Sequence, residues 1–249
     1  MMPRVLETRR YWQESRSPRY SLLFAVPLLG LYETLVAILP RSETRGIRNG
    51  ADVLLESFFR FIAGPRGPLL FGAVLVGVGG WLIVRDAHAH GWRLRGWLFG
   101  AMLAEAVILA LALGLVVGVV TAQLLGATHL LAMVQVQRFD LWTRVMVSLG
   151  AGLYEELLFR VLLVSGLFLL ARDALHWRPR VAGVFAAIVG ALLFSAFHYV
   201  GPYGDQFAVS SFTFRAIAGL ALSAIYLLRG FGIDAWTHAL YDLLLLFAR

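Results

Sequence analysis

Long apolar runs alternate with short polar breaks along this chain. Residues 21–39, 69–84, 97–125, 142–171, 181–200, 209–228 and 231–247 are each dominated by apolar side chains, on the scale of the about 20 residues that carry a helix across a bilayer. Polar or Gly/Pro-containing breaks separate them, as expected where one helix stops and the next begins. Residues 51–63 (ADVLLESFFRFIA) differ, with apolar positions at helical spacing but also Asp52, Glu56 and Arg60. That pattern predicts an amphipathic helix lying in the membrane interface. The expected fold is an all-α, polytopic transmembrane bundle of about seven to eight helices around an intramembrane polar cavity.

Composition agrees with the pattern. The 249 residues are 59% hydrophobic and 15% charged, against about 25% charged in soluble domains. There is no cysteine, which excludes disulfides, thiol nucleophiles and Cys-ligated metals together. The net charge of +7 comes from 22 basic residues, all arginine. They cluster beside apolar runs, as the positive-inside bias places them, so a lipid bilayer and not nucleic acid is the expected partner. Residues 1–20 read as an Arg-rich cytoplasmic leader (Arg4, Arg9, Arg10, Arg16, Arg19), with cytoplasmic loops at 85–95 and 172–180 and an external loop at 201–206. The arginines of 41–67 oppose this orientation. Residues 21–40 lack a small-residue cleavage site and read as a span, not a signal peptide.

Ionisable side chains inside apolar spans cost about 2.5–3.5 kcal/mol at a helix centre on insertion scales, which makes them functional candidates. The 142–171 span places Glu155 and Glu156 near its middle and Arg160 one turn on. Glu156 and Arg160 are i,i+4 neighbours that can pair, whereas Glu155 points about 100° away. One acid is neutralised, and the other is free to act as a general base. A structural ion pair explains Glu156 and Arg160 but not the second glutamate. The 181–200 span ends with Phe194 and His198 on one face, and the last span sets His238 and Asp242 at i,i+4, an oriented histidine–carboxylate unit of the kind found in hydrolases and metal sites. His88 and His90 form a weaker metal candidate in a loop, and Glu33 in the first span reads as structural.

These motifs, Glu155-Glu156-x-x-x-Arg160, Phe194-x-x-x-His198 and His238-x-x-x-Asp242, occur in this order on successive spans. The chain thereby resembles the CPBP family of CAAX proteases and bacteriocin-processing enzymes, also called the Abi family. Residues 142–249 would be its catalytic core and 21–130 more loosely related transmembrane helices. Residues 18–33 with Arg48-Asn49-Gly50-Ala51-Asp52 look like a bacterial, sortase-like branch that trims C-terminal sorting signals.

The resemblance implies an intramembrane endopeptidase that cleaves a membrane-anchored protein or peptide near its C-terminus; the all-Arg, Cys-free composition points to a multi-pass protein of a bacterial inner membrane. Glu155 would activate water with His198, Glu156 and Arg160 would hold the site, and His238 with residue 242 would face the oxyanion. The family's prenyl-protein proteases carry asparagine where this chain has Asp242, and an ionised aspartate cannot donate to an oxyanion. Zn2+ at the His198/His238 cluster and a metal-free glutamate mechanism both fit the resemblance. No H-E-x-x-H, G-x-S-G or G-x-G-D signature of other intramembrane proteases is present. Two other classes fit the intramembrane charges: a transporter or proton-relay protein, and a non-catalytic immunity or scaffold protein on the same fold.

Overall fold

The computed structural model describes residues 10–39, 48–126, 140–201 and 204–247. Arg4, Arg9, Arg41, Arg45 and residues 202 and 203 of the expected external loop lie outside them. A helical stretch at 10–15 precedes eight helices, and there is no strand among the described residues. They are α1 (Pro18–Ile38), α2 (Gly50–Ala63), α3 (Gly67–His90), α4 (Gly96–Leu125), α5 (beginning as Leu141–Gly150), α6 (Pro179–Phe197), α7 (Val209–Arg229) and α8 (Phe231–Phe247). The protein is an all-α multi-pass membrane bundle. Its long helices turn large apolar side chains outward, among them Ile108 at 65% and Leu115 at 68% exposure on α4, a cost in water and none in lipid.

Polar chemistry at the helix ends sets the boundaries. Pro18 opens α1, where a missing N–H costs nothing. Asn49 caps α2 and Asp140 caps α5, each accepting backbone N–H bonds with its side chain. After α2, the turn Gly64–Arg66 reverses the chain, and α3 returns along α2 with the Phe59 and Phe71 rings 5.3 Å apart. The amphipathic 51–63 segment therefore forms one arm of a helical hairpin, with Ala51, Asp52 and Leu55 buried.

α8 is the central helix. It packs on α1, α4, α5 and α7, and Gly232, Ile233, Asp234, Ala235, Thr237, His238, Ala239 and Tyr241 are all buried. In lipid, helices associate through close packing and polar contacts instead of apolar burial, and small residues mark where this happens. A Cβ on Gly152 of α5 would lie 2.6 Å from the Ala239 Cβ and collide with the Ala235 carbonyl oxygen. Only glycine lets α5 approach α8 this closely.

After Gly150, α5 departs from a regular α-helix. It continues unbroken through wide π-type turns at Ala151–Glu155 and Leu157–Val164, a short α segment at Ser165–Leu169, and a last wide turn at Leu170–Ala174. π turns are rare and are found mostly at functional positions. Here they flank Glu156.

Candidate active site

The six ionisable residues singled out in the sequence come from three helices. Glu155, Glu156 and Arg160 lie on α5, His198 follows the last turn of α6, and His238 and Asp242 lie on α8. Glu156 is fully buried. Its Oε1 accepts from His238 Nδ1 at 2.6 Å, and its Oε2 lies 3.1 Å from Arg160 Nε. The second contact is an ion pair without hydrogen-bond alignment. Arg160 is itself 1% exposed, with its guanidinium carbon 4.4 Å from the centre of the Phe194 ring. The expected Glu156–Arg160 pairing is thus present, and His238 joins it.

An ionised carboxylate only accepts, so the 2.6 Å contact places a proton on His238 Nδ1. The other nitrogen, Nε2, faces Asp242 Oδ2 at 3.7 Å, beyond hydrogen-bond range but close enough for attraction between charges. His198 Nδ1 is 2.9 Å from the Phe194 carbonyl oxygen. That nitrogen therefore donates, and in the neutral ring the lone pair falls on Nε2. The Phe194 ring lies between the two imidazoles, 5.0 Å from His198 and 6.0 Å from His238.

Glu155 points away from Glu156, as the helical spacing predicts. It is not without a partner: Asn49 Nδ2 donates to its Oε1 at 2.8 Å. No cation neutralises it among the described residues, and it lies within electrostatic reach of His198 and Asp242. The result is two adjacent glutamates in opposite circumstances, one tied to a guanidinium and an imidazole, the other holding a neutral amide.

The sequence reading missed two members of this cluster. Asp234, fully buried on α8, lies within hydrogen-bond reach of Glu156 and near Arg160. Yet neither of its oxygens receives a hydrogen bond from a described residue. Two facing carboxyls satisfy each other only by sharing one proton. The signal was present, since Asp234, His238 and Asp242 are spaced by four and occupy one face of α8. Asn49 gave no such signal, because before an amphipathic helix it looks like any N-cap.

The metal candidates fare differently. Among the described residues, no three His, Asp or Glu side chains converge as a metal site requires. His198 and His238 each commit Nδ1 to a protein oxygen and leave Nε2, two donors where a zinc site takes three or four from the protein. His90 pairs with Asp86 at 3.0 Å at the exposed end of α3, apart from this cluster.

Comparison with protein families matched residues 135–244 to the family described as type II CAAX prenyl endopeptidase Rce1-like. That stretch contains all six of the residues above. No curated protein and no solved structure matched the chain.

Proposed function

From the match of residues 135–244 to the Rce1-like CAAX-endopeptidase family, we propose that this chain hydrolyses a peptide bond of a membrane-anchored protein, near that protein's C-terminus, with water activated by Glu155 and His198. The observation carrying this reading is the separation of roles between the two glutamates. Glu156 is tied to Arg160 and His238, and Glu155 keeps an oxygen for chemistry.

The chain's own residues suffice for each step. Glu155, assisted by the free Nε2 of His198, takes a proton from water, and the hydroxyl oxygen attacks the scissile carbonyl carbon. Charge develops on the carbonyl oxygen. His238 meets it through Nε2–H, which requires the doubly protonated imidazolium because Nδ1–H is already given to Glu156. The Glu156 and Asp242 carboxylates are the counter-charges for that cation. This gives Asp242 a role without requiring it to donate. Collapse of the intermediate breaks the C–N bond, and the proton held by Glu155 passes to the departing amine. Arg160 holds Glu156 aimed at His238.

The arginines of 1–20, 85–95 and 172–180 support a cytoplasmic 1–20 segment and an external 201–206 loop, against those of 41–67, and the all-Arg, Cys-free composition supports a bacterial inner membrane. His198 then lies toward the outer face, which favours exported substrates and agrees with a sortase-like branch. The test is cleavage of membrane-anchored candidate substrates by purified protein, compared with Glu155→Ala and His198→Ala. Each substitution is expected to lower the rate by about 100-fold or more, the scale of a positioned acid–base group. Cleavage that survives both substitutions overturns the assignment.

A further inference from the structure

Asn49 stands where the chain enters α2, and its side chain serves two partners. Oδ1 accepts from the Ala51 N–H at 2.9 Å, which caps the helix. Nδ2 donates to Glu155 Oε1 at 2.8 Å, 106 residues away in sequence. Exchanging the two amide atoms would set oxygen against carboxylate and N–H against N–H, so the network allows one orientation only.

The amide is also held mechanically. Asn49 is 2% exposed, and its backbone N–H points to the Tyr32 hydroxyl at 3.3 Å. Tyr32 in turn donates to Asp52 at 2.7 Å. Position 150 of α5 has no room for a side chain, because a Cβ there would lie 2.8 Å from the Asn49 Cβ. On the other side, Arg48 pairs with Glu33 at 3.2 Å and Glu56 at 3.1 Å. Glu33 accepts from the Tyr154 hydroxyl at 2.8 Å, and Tyr154 immediately precedes Glu155. The entry to α2 is thus fastened to the stretch of α5 that carries the two acids.

We infer that Asn49 is a positioning residue for hydrolysis: its amide grips Glu155 by Oε1 and leaves Oε2 as the oxygen that faces water. The inference rests on the reading of Glu155 as the water-activating base. A hydrogen bond to the charged form favours that form, and the Asn49 amide supplies one without a counter-charge. A guanidinium at the same place would hold the charge too firmly for the carboxylate to accept a proton. The neutral donor differentiates Glu155 from Glu156.

The test uses two substitutions that keep the cap. Asn49→Asp preserves shape and replaces the donating NH2 by oxygen; Asn49→Ser withdraws the donor from reach. Asn49→Gly, tolerated at caps, replaces either one that fails to fold. Cleavage kinetics across pH are measured alongside modification of Glu155 by a hydrophobic carbodiimide, which reacts with protonated carboxyls and is read by mass spectrometry without any substrate. Both variants are expected to melt near the wild type. Their kcat should fall about 10- to 100-fold, as for loss of a hydrogen bond to a charged group, with KM unchanged and the acid limb of the rate profile moved to higher pH. Carbodiimide modification of Glu155 should persist to higher pH than in the wild type. A wild-type modification profile in both variants overturns the inference. If that profile shifts but wild-type protein cleaves nothing, the hydrolytic role of Asn49 falls with the hydrolytic reading, while its grip on Glu155 stands.

Discussion

Glu156 and His238 meet at 2.6 Å although 82 residues separate them, and their contact joins α5 to the central helix α8. The distance depends on Gly152, one turn before Glu156. Substituting Gly152→Ala forces α5 away from the Ala235 carbonyl and the Ala239 methyl, which overpacking data place at about 1–3 kcal/mol. The expected result is a lower melting temperature and a larger loss of activity than the stability change explains. Gly166→Ala is the control, since a Cβ at Gly166 meets nothing within 4 Å; it should leave stability unchanged or raise it by up to about 1 kcal/mol.

Asp234 offers a second test. Asp234→Asn keeps a donor for Glu156 and is expected to retain folding and most activity. Asp234→Ala removes it and leaves a buried oxygen without a partner, a loss of about 1–3 kcal/mol. An infrared band from a protonated carboxylic acid should be present in the wild type and missing from Asp234→Asn. Its persistence in the variant would place the proton elsewhere.

Far from the site, Arg229 fastens the 10–15 stretch to the bundle. It pairs with Glu105 of α4 at 2.5 Å and 2.8 Å, donates to Ser15 at 2.9 Å, and lies 3.9 Å from the Trp12 ring. Arg229→Met leaves Glu105 in a membrane-crossing helix with the Tyr11 hydroxyl but without its cation, and removing one partner of a buried pair costs about 3–5 kcal/mol. Glu105 retains 22% side-chain exposure, so the expected loss is about 3 kcal/mol, the lower end of that range. Adding Glu105→Leu should restore most of it, measured by denaturant unfolding in detergent.

Dialysis against a chelator addresses the metal directly. Because no three suitable donors converge among the described residues, cleavage is expected to continue at the wild-type rate. Loss of activity restored by Zn2+ would instead put a metal at the His198/His238 cluster.

Much of this architecture was legible in the sequence, for a physical reason. Charges in apolar spans are costly, so Glu155, Glu156, Arg160 and His238 stood out, and the stride of four already paired Glu156 with Arg160. The helix boundaries of α4, α7 and α8 followed from apolar length. Three features left no such trace. Asn49 reaches Glu155 across 106 residues, a distance no local pattern encodes. The Gly/Pro break at 64–68 marks where α2 stops, but nothing in it shows that α3 folds back along α2. The wide turns of α5 run through Leu, Val and Phe, whose pattern suits an α or a π pitch equally well.

Those wide turns have an evolutionary consequence. A π turn is a helix that has taken in a residue and kept it, and one residue corresponds to about 100° of rotation. The face that α5 presents to α8 is set before Glu156. The face that brings Val164 against Gly190 and Ser165 to within 3.0 Å of the Tyr226 hydroxyl is set after it. Gain or loss of a single residue between 157 and 164 would re-aim the distal half of the helix at α6 and α7 and leave the acids where they are. In this helix, length variation is a means of changing direction.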